Sequence, residues 1–535
     1  MKKINLNFND NLQKRMKLEI LDINNFKIRT ECEILSLRKR NLNNKFLEKR
    51  INVLNNLNPE KIENLLFQLK NNQYLEKETI INILNKINKL LESQYNYFNE
   101  DIPKNILSFN QLIDNEIAKI CNSILEKFFC EDVIRLILNI LLYLSLLIQY
   151  DTNKKDYISK QFYFISEDKF LDNYIKILNL YKNDHEIIYN LIHFLGNIIH
   201  ENTMNQKIFF KLGIFDILIN YNNNDDPFIL FILNWFFSLI NLEKLSVLNI
   251  SIIQKILKLF ISSLLSGIKL KKEQFIEFSQ YSIKGLINIS TLENELILNQ
   301  LFQYELISFL IDNDFQNEEL ERSIILFFGN ITTLSAEKVE KLINYGILQK
   351  LYNILNSQNK IYENIKDLVL WVLNNIYAER DLFRKIMTEN NQINLLINII
   401  KKDICQNDSF YKEILIFFCS LINFSTIEEL LNFIEKDQII SIIIDIIKKF
   451  IFPKKQNFQK ICIISTTIIF KLIYHSNETI SDISYKYFEN LGIDEICERI
   501  IMICFEQNTI DDEEKELISK WEYIKSTIYS NKIIN

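Results

Sequence analysis

The sequence predicts an all-α chain built as a solenoid of stacked helical repeats, and three observations carry that expectation. Gly and Pro are scarce, seven and four in 535 residues. Strands need frequent turn signals, so such scarcity favours long helices joined by short polar connectors. An asparagine also returns in one local setting, near the end of long apolar stretches: Leu195-Gly196-Asn197-Ile198, Leu286-Ile287-Asn288-Ile289, Phe328-Gly329-Asn330-Ile331, Leu373-Asn374-Asn375-Ile376 and Leu421-Ile422-Asn423-Phe424. Third, a glycine junction recurs at Leu212-Gly213-Ile214-Phe215, Tyr345-Gly346-Ile347-Leu348 and Leu491-Gly492-Ile493. There a left-handed Gly closes one helix and apolar residues open the next.

The five asparagines stand 91, 42, 45 and 48 residues apart, and Leu239, closing Trp235-Phe236-Phe237-Ser238-Leu239, stands 42 residues after Asn197. Spacings of about 40–47 residues mark helical repeats of the armadillo or HEAT type. The expected architecture is therefore an all-α, right-handed superhelical solenoid of about ten armadillo repeats. A chain this long exceeds what one compact core accommodates.

Residues 1–60 read as a basic arm. They hold 13 Lys/Arg against 7 Asp/Glu, a net of +6, whereas the rest of the chain carries −12. Apolar residues at Ile28, Leu35, Leu37, Leu42 and Phe46 allow an amphipathic helix with too little surface to pack alone. A flexible solubilising tail and an arm that binds an acidic surface both fit this pattern. Residues 61–105 give linker and first helices, with Pro59 and Pro103 near boundaries; 106–510 give the solenoid; 511–535 give an acidic run, Asp511 to Glu516, and a helix from Leu517 to Tyr529. The most apolar stretch, Leu136 to Ile148, is too short to span a bilayer and reads as a core helix. The start, Met1-Lys2-Lys3, lacks the apolar segment of a secretory signal. Eight scattered cysteines without a C-x-x-C pair are expected to be reduced and mostly buried.

Residues four apart on a helix share a face. Stepping back four from each recurring position gives His193/Asn197, Trp235/Leu239, Lys284/Asn288, Leu326/Asn330, Trp371/Asn375 and Cys419/Asn423, with Leu142/Leu146 one repeat earlier. Two of the three Trp fall in this register. An Asn amide offers donors and an acceptor to the backbone of an extended peptide whatever its sequence. Trp faces between successive Asn accept long aliphatic stems and attract cationic heads. Glu201 and Glu379, each four residues after an Asn, add carboxylates. The expected site is a groove for Lys/Arg-rich peptides.

The Trp-x-x-x-Asn pattern, best in Leu370-Trp371-Val372-Leu373-Asn374-Asn375-Ile376, resembles the importin-α family of nuclear-import adaptors. The arm is similar to that family's importin-β-binding segment through Ile28-Arg29-Thr30-Glu31, Leu37-Arg38-Lys39-Arg40 and Leu47-Glu48-Lys49-Arg50-Ile51. The resemblance covers roughly residues 25–510. It implies that Arg29, Arg38, Lys39, Arg40, Lys49 and Arg50 bind importin-β, that the concave face binds cargo signals, that an export factor recycles the adaptor, and that the protein shuttles between cytoplasm and nucleus. Against the family pattern, Leu142/Leu146 lacks both partners, His193/Asn197 lacks the Trp and Trp235/Leu239 lacks the Asn, so the N-terminal groove is expected to bind a basic peptide weakly or with altered preference. The C-terminal groove, with Asn330, Trp371, Asn375 and Asn423, is better kept, although Cys419 replaces a Trp. The basic cluster Lys49-Arg50-Ile51 is one cation short, so autoinhibition by the arm is expected to be weaker.

No catalytic residues, cofactor or metal ligands are expected. His193 and His200 share a face without completing a metal site, and no phosphate-cradling Gly loop or nucleophile elbow occurs. A net −12 body disfavours direct nucleic-acid binding. The rival expectation is an armadillo-repeat interaction scaffold with degraded grooves and no transport role.

Overall fold

The structure is a computed structural model that describes residues 59–70, 75–98, 117–150, 168–200, 203–221, 227–240, 250–267, 272–292, 295–302, 305–378, 380–389, 392–401, 408–436, 438–451, 458–505 and 517–527. Among them the regular elements are helices and no strand occurs. The chain divides into two compact units, Met1–Ile252 and Ile253–Asn535. Residues 1–58 of the basic arm, Glu201, Glu379 and the acidic run 511–516 lie outside the described residues.

Each unit is organised on a ladder of long helices, each packed on the next. In the first unit these are α1 (Lys77–Phe98), α2 (Glu131–Tyr150), α3 (His185–Ile199) and α4 (Pro227–Ser238). In the second they are α5 (Lys272–Ser290), α6 (Glu318–Thr332), α7 (Lys366–Tyr377), α8 (Asp408–Phe424) and α9 (Phe458–Ile473). Two further helices precede each of α6 to α9, for example Ile427–Glu435 and Ile439–Ile451 before α9, with an additional single turn, Lys360–Glu363, before α7. Three helices per repeat is thus the rule of the second unit. A ladder helix has neighbours on both sides and an outer helix behind it, so it is apolar almost all round. In α3 every residue from Ile187 to Ile199 is buried. The stretch read as a core helix lies within α2, with Ile137, Leu138, Ile140 and Leu141 fully buried.

The local signals work as the sequence suggests. Gly213, Gly346 and Gly492 take φ of 72°, 94° and 75°, each between a short helix and the one that follows. Only a residue without Cβ adopts this region without penalty. The equivalent junction before Ile439–Ile451 carries Gln438 at φ 56°. Pro59 and Pro227 occupy first helical positions, where a missing N–H costs nothing. Side chains close the helix starts: Asp184 caps α3, Asn317 caps α6, and Thr426 with Glu429 forms a capping box.

Asparagines away from the recurring motif also have a structural use in the first unit. Asn88 donates to the Leu136 carbonyl (3.0 Å), Asn173 to Asn122 (3.0 Å) and Asn190 to Asn139 (2.9 Å), each bond joining successive repeats. The described cysteines are free thiols, with Cys121, Cys462 and Cys497 buried and Cys130 and Cys419 partly so. Among the described residues no helix is long and apolar enough to cross a membrane, and no group of three or more His, Cys, Asp or Glu is placed to hold a metal.

Candidate functional site

The recurring asparagines have a packing role that the sequence did not reveal. Asn330 on α6 donates its amide to Ser290 Oγ on α5 (3.0 Å), and Asn375 on α7 donates to Thr332 Oγ1 on α6 (3.3 Å). In the first unit Asn197 on α3 donates to Ser145 Oγ on α2 (3.0 Å). Each accepting hydroxyl has already spent its own hydrogen on the carbonyl three residues back: Ser290 on Ile287, Thr332 on Gly329, Ser145 on Leu142. Its lone pair therefore remains for the incoming amide. The Asn is a staple between successive ladder helices. The signal for it is a Ser or Thr two residues after the preceding ladder Asn, as in Asn288/Ser290 and Asn330/Thr332.

The same geometry corrects the register of α2. Ser145 stands one residue before Leu146 rather than two after the ladder position, which puts Tyr143 there instead. Leu142 and Leu146 are core residues, 1% and 2% exposed. His193 is also core, 1% exposed, with its ring edge-on to Trp235 at 4.6 Å between centroids. It backs the Trp and offers a ligand no surface. Asn197 is buried at 7% exposure, so its amide serves the staple and not a groove.

Both ladder Trp rings lie on a glycine of the preceding helix. A β-carbon on Gly196 would stand 2.4 Å from Trp235 Cζ3, and one on Gly329 would stand 1.9 Å from Trp371 Cζ3. These contacts explain Leu195-Gly196-Asn197 and Phe328-Gly329-Asn330: the glycine admits the benzo edge of the indole, and the next residue staples backward. Both Trp are half-buried, so part of each side chain reaches solvent. Leu239, which stands where the pattern would carry an Asn, is also near this glycine: its Cδ1 would lie 3.4 Å from a β-carbon on Gly196.

The second unit therefore presents a row formed by Lys284/Asn288, Leu326/Asn330, Trp371/Asn375, Cys419/Asn423 and, one helix further, Thr467/Lys471. Asn288, Asn330 and Asn375 are half-buried; Lys284 and Asn423 are exposed. Asn423 is unlike the others. The residue two after Asn375 is Tyr377, which is fully buried with its hydroxyl on Tyr352, so α7 offers Asn423 no hydroxyl to staple. Its Oδ1 instead accepts from Lys471 Nζ on α9 (2.6 Å). Lys471 holds the position where the next Asn would stand, and the hydroxyl that Asn would have used, Ser425 Oγ, is buried without a hydrogen-bond partner. Burial pushes the nearby Cys419 thiol up from its ordinary value, with Lys471 opposing. Asn374, adjacent to Asn375, points the other way: its amide donates to the carbonyl and to Oε2 of the buried Glu413 on α8, both at 2.9 Å.

A cavity of about 470 Å³ lies elsewhere in this unit, between Leu306–Asp312 and Ile347–Asn356, lined by Asp312, Asp314, Tyr345, Lys350 and Tyr362 among others. The Tyr362 hydroxyl donates to Asp314 (2.6 Å), and Lys350 Nζ donates to the Asn313 carbonyl (2.7 Å). These groups satisfy one another and bind the repeat edges together.

No protein-family model and no curated protein sequence matches the chain. Solved structures do. The crystal structure of an engineered protein aligns over 87% of this chain and 98% of its own at 12% identity, with a TM-score of 0.59. A chain from a structure of the cadherin–beta-catenin interaction and the phosphorylation switch that controls it aligns over 87% of this chain and 83% of its own, at 11% identity and a TM-score of 0.54. At such identity the likeness establishes the fold alone: an all-α solenoid of the armadillo type.

Proposed function

We propose that the chain is a non-enzymatic adaptor that holds an extended segment of a partner protein along the row of the second unit. The observation that supports this most directly is the Trp371 rung. The benzo edge of the indole is seated against Gly329, part of the ring reaches solvent, and half-buried asparagines stand at Asn330 and Asn375. The amide nitrogens are taken up inside the ladder, Asn330 reaching the Ile287 carbonyl (3.5 Å) as well as Ser290 and Asn375 the Gly329 carbonyl (3.5 Å) as well as Thr332, which leaves each Oδ1 to accept from a peptide N–H. The open ring suits an aliphatic stem or a cationic head. The matched cadherin–beta-catenin structure concerns binding to another protein, which agrees with this class of role.

The finer reading is nuclear import: basic signal peptides in the groove, importin-β on the arm through Arg29, Arg38, Lys39, Arg40, Lys49 and Arg50, recycling by an export factor, and shuttling between cytoplasm and nucleus. What supports it is the motif order in the arm together with Trp371-x-x-x-Asn375. Two trials on the full chain decide. A labelled Lys/Arg-rich peptide should bind and should lose about 1–3 kcal/mol of affinity in Trp371→Ala, as a truncated aromatic anchor does; binding no better than that of an alanine control ends the groove reading. Importin-β should be captured by the chain and lost when Arg38, Lys39 and Arg40 are replaced by alanine; retention of a peptide-binding groove without that capture leaves the interaction scaffold.

A further inference from the structure

Resting on the groove reading, we propose that the α8–α9 end of the row binds an acidic side chain of the same partner segment, with Lys471 as the residue that selects it. Asn423 gives its carbonyl oxygen to a cation of its own chain. With Oδ1 held by Lys471 Nζ, the amide hydrogens of Asn423 face solvent, for the residue is exposed and α7 supplies no hydroxyl to take them. The rung therefore offers ammonium and amide donors together, a set that suits a carboxylate. The five position pairs of the row, from Lys284/Asn288 to Thr467/Lys471, include two lysines and no carboxylate. A uniformly basic peptide meets a favourable surface at Trp371 and a repulsive one two helices away.

The geometry also sets a spacing. Packed helices lie about 8–10 Å apart, and an extended chain rises about 3.3 Å per residue. The Trp371 and Lys471 rungs are two helix spacings apart, so the acidic residue stands about five or six positions from the residue over Trp371. The segment is thus an extended stretch with an aliphatic-stemmed cation at one point and Asp or Glu about two rungs away.

The test uses the full chain and three fluorescein-labelled peptides of about fifteen residues. All carry one Lys-Arg-Lys cluster; one has alanine in both flanks, one a Glu about six residues before the cluster, and one a Glu about six residues after it. At low salt, one Glu peptide should bind about fivefold tighter than the alanine peptide, the gain of a partly exposed ion pair of about 1 kcal/mol. That gain should vanish in Lys471→Asn, invert in Lys471→Glu, and shrink as salt is raised. Lys471→Asn also places an amide opposite Ser425, so loss of the gain with an unchanged melting transition separates selection from misfolding. Equal affinity for all three peptides, or a Glu gain indifferent to Lys471, overturns the proposal while leaving the groove reading intact. If none of the three binds, the groove reading fails and this proposal with it.

Discussion

Trp371 rests on Gly329 so closely that a β-carbon on the glycine would stand 1.9 Å from the indole. The same glycine's carbonyl accepts the Thr332 hydroxyl (2.7 Å), whose lone pair receives the Asn375 amide. Indole and amide of α7 thus grip one turn of α6. Gly329→Ala is expected to destabilise by about 1–3 kcal/mol, since the methyl must displace a ring set in a packed ladder. Trp371→Ala removes the obstacle, so the double variant should be less destabilised than the sum of the singles. Urea unfolding followed by helical circular dichroism measures this; strict additivity would mean that the contact is not the reason for the glycine.

Asn374 and Asn375 are neighbours with opposite duties. Asn374 is 6% exposed and bonds the buried Glu413, whereas Asn375 is half-buried on the row. Asn374→Ala leaves a buried carboxylate short of a donor and is expected to cost about 1–3 kcal/mol of stability. Asn375→Ala leaves the Thr332 hydroxyl still bonded to Gly329, so it should cost about 1 kcal/mol or less and show its effect in peptide affinity instead. Thermal melts and peptide titrations of both variants check this; a larger stability loss at Asn375 would reverse the assignment.

The repeat was legible because it rests on local rules. Glycines at three junctions and a shortage of turn formers act within one helix or one turn, and their recurrence with asparagines 42, 45 and 48 residues apart exposes the repeat. What the row does was less legible because it depends on partners 40 or more residues away. Nothing near Asn330 marks Ser290 as its acceptor, and nothing near Asn423 says that Tyr377 turns its hydroxyl into the core, leaving Lys471 to take the amide oxygen. His193 misled for a related reason. Its register is that of Trp371, but Trp235 on the next helix covers it, and helical phase alone cannot tell a covered position from an open one.

Gln438 holds a left-handed backbone, φ 56°, at the junction where Gly213, Gly346 and Gly492 stand in other repeats. A side chain there costs about 1–2 kcal/mol relative to its absence. Gln438 is exposed, so little packing is lost with it. Gln438→Gly is expected to stabilise by up to about 1 kcal/mol after the added chain entropy of the unfolded glycine is subtracted, and Gly346→Ala to destabilise by a similar amount. Opposite shifts in the urea midpoint are the expected result. A loss of stability in Gln438→Gly would show that the glutamine side chain contributes more than its backbone strain removes.

Glu321 and Lys350 form a buried pair in the second unit, Oε2 to Nζ 3.6 Å, with Glu321 Oε1 accepting the Phe315 N–H (2.8 Å). Burial raises the Glu321 carboxyl above its ordinary range, and Lys350 and the Phe315 N–H pull it back only in part. Burial likewise lowers the Lys350 ammonium, with Glu321 opposing. A carboxyl with a raised folded value contributes stability that is full below its unfolded value and is lost as pH rises through the folded one. Lys350→Met removes the opposing cation, so Glu321 should rise further, and the variant should lose about 3–5 kcal/mol near neutral pH. That deficit should shrink as pH falls, because the folded variant takes up the proton more readily than the unfolded chain. Adding Glu321→Leu should restore most of the stability and abolish the pH dependence. Urea unfolding of the three proteins between pH 4.5 and 8 decides, over a window of about the carboxylate range and above. A Lys350→Met deficit that does not vary with pH would mean that Glu321 reaches water in the folded state.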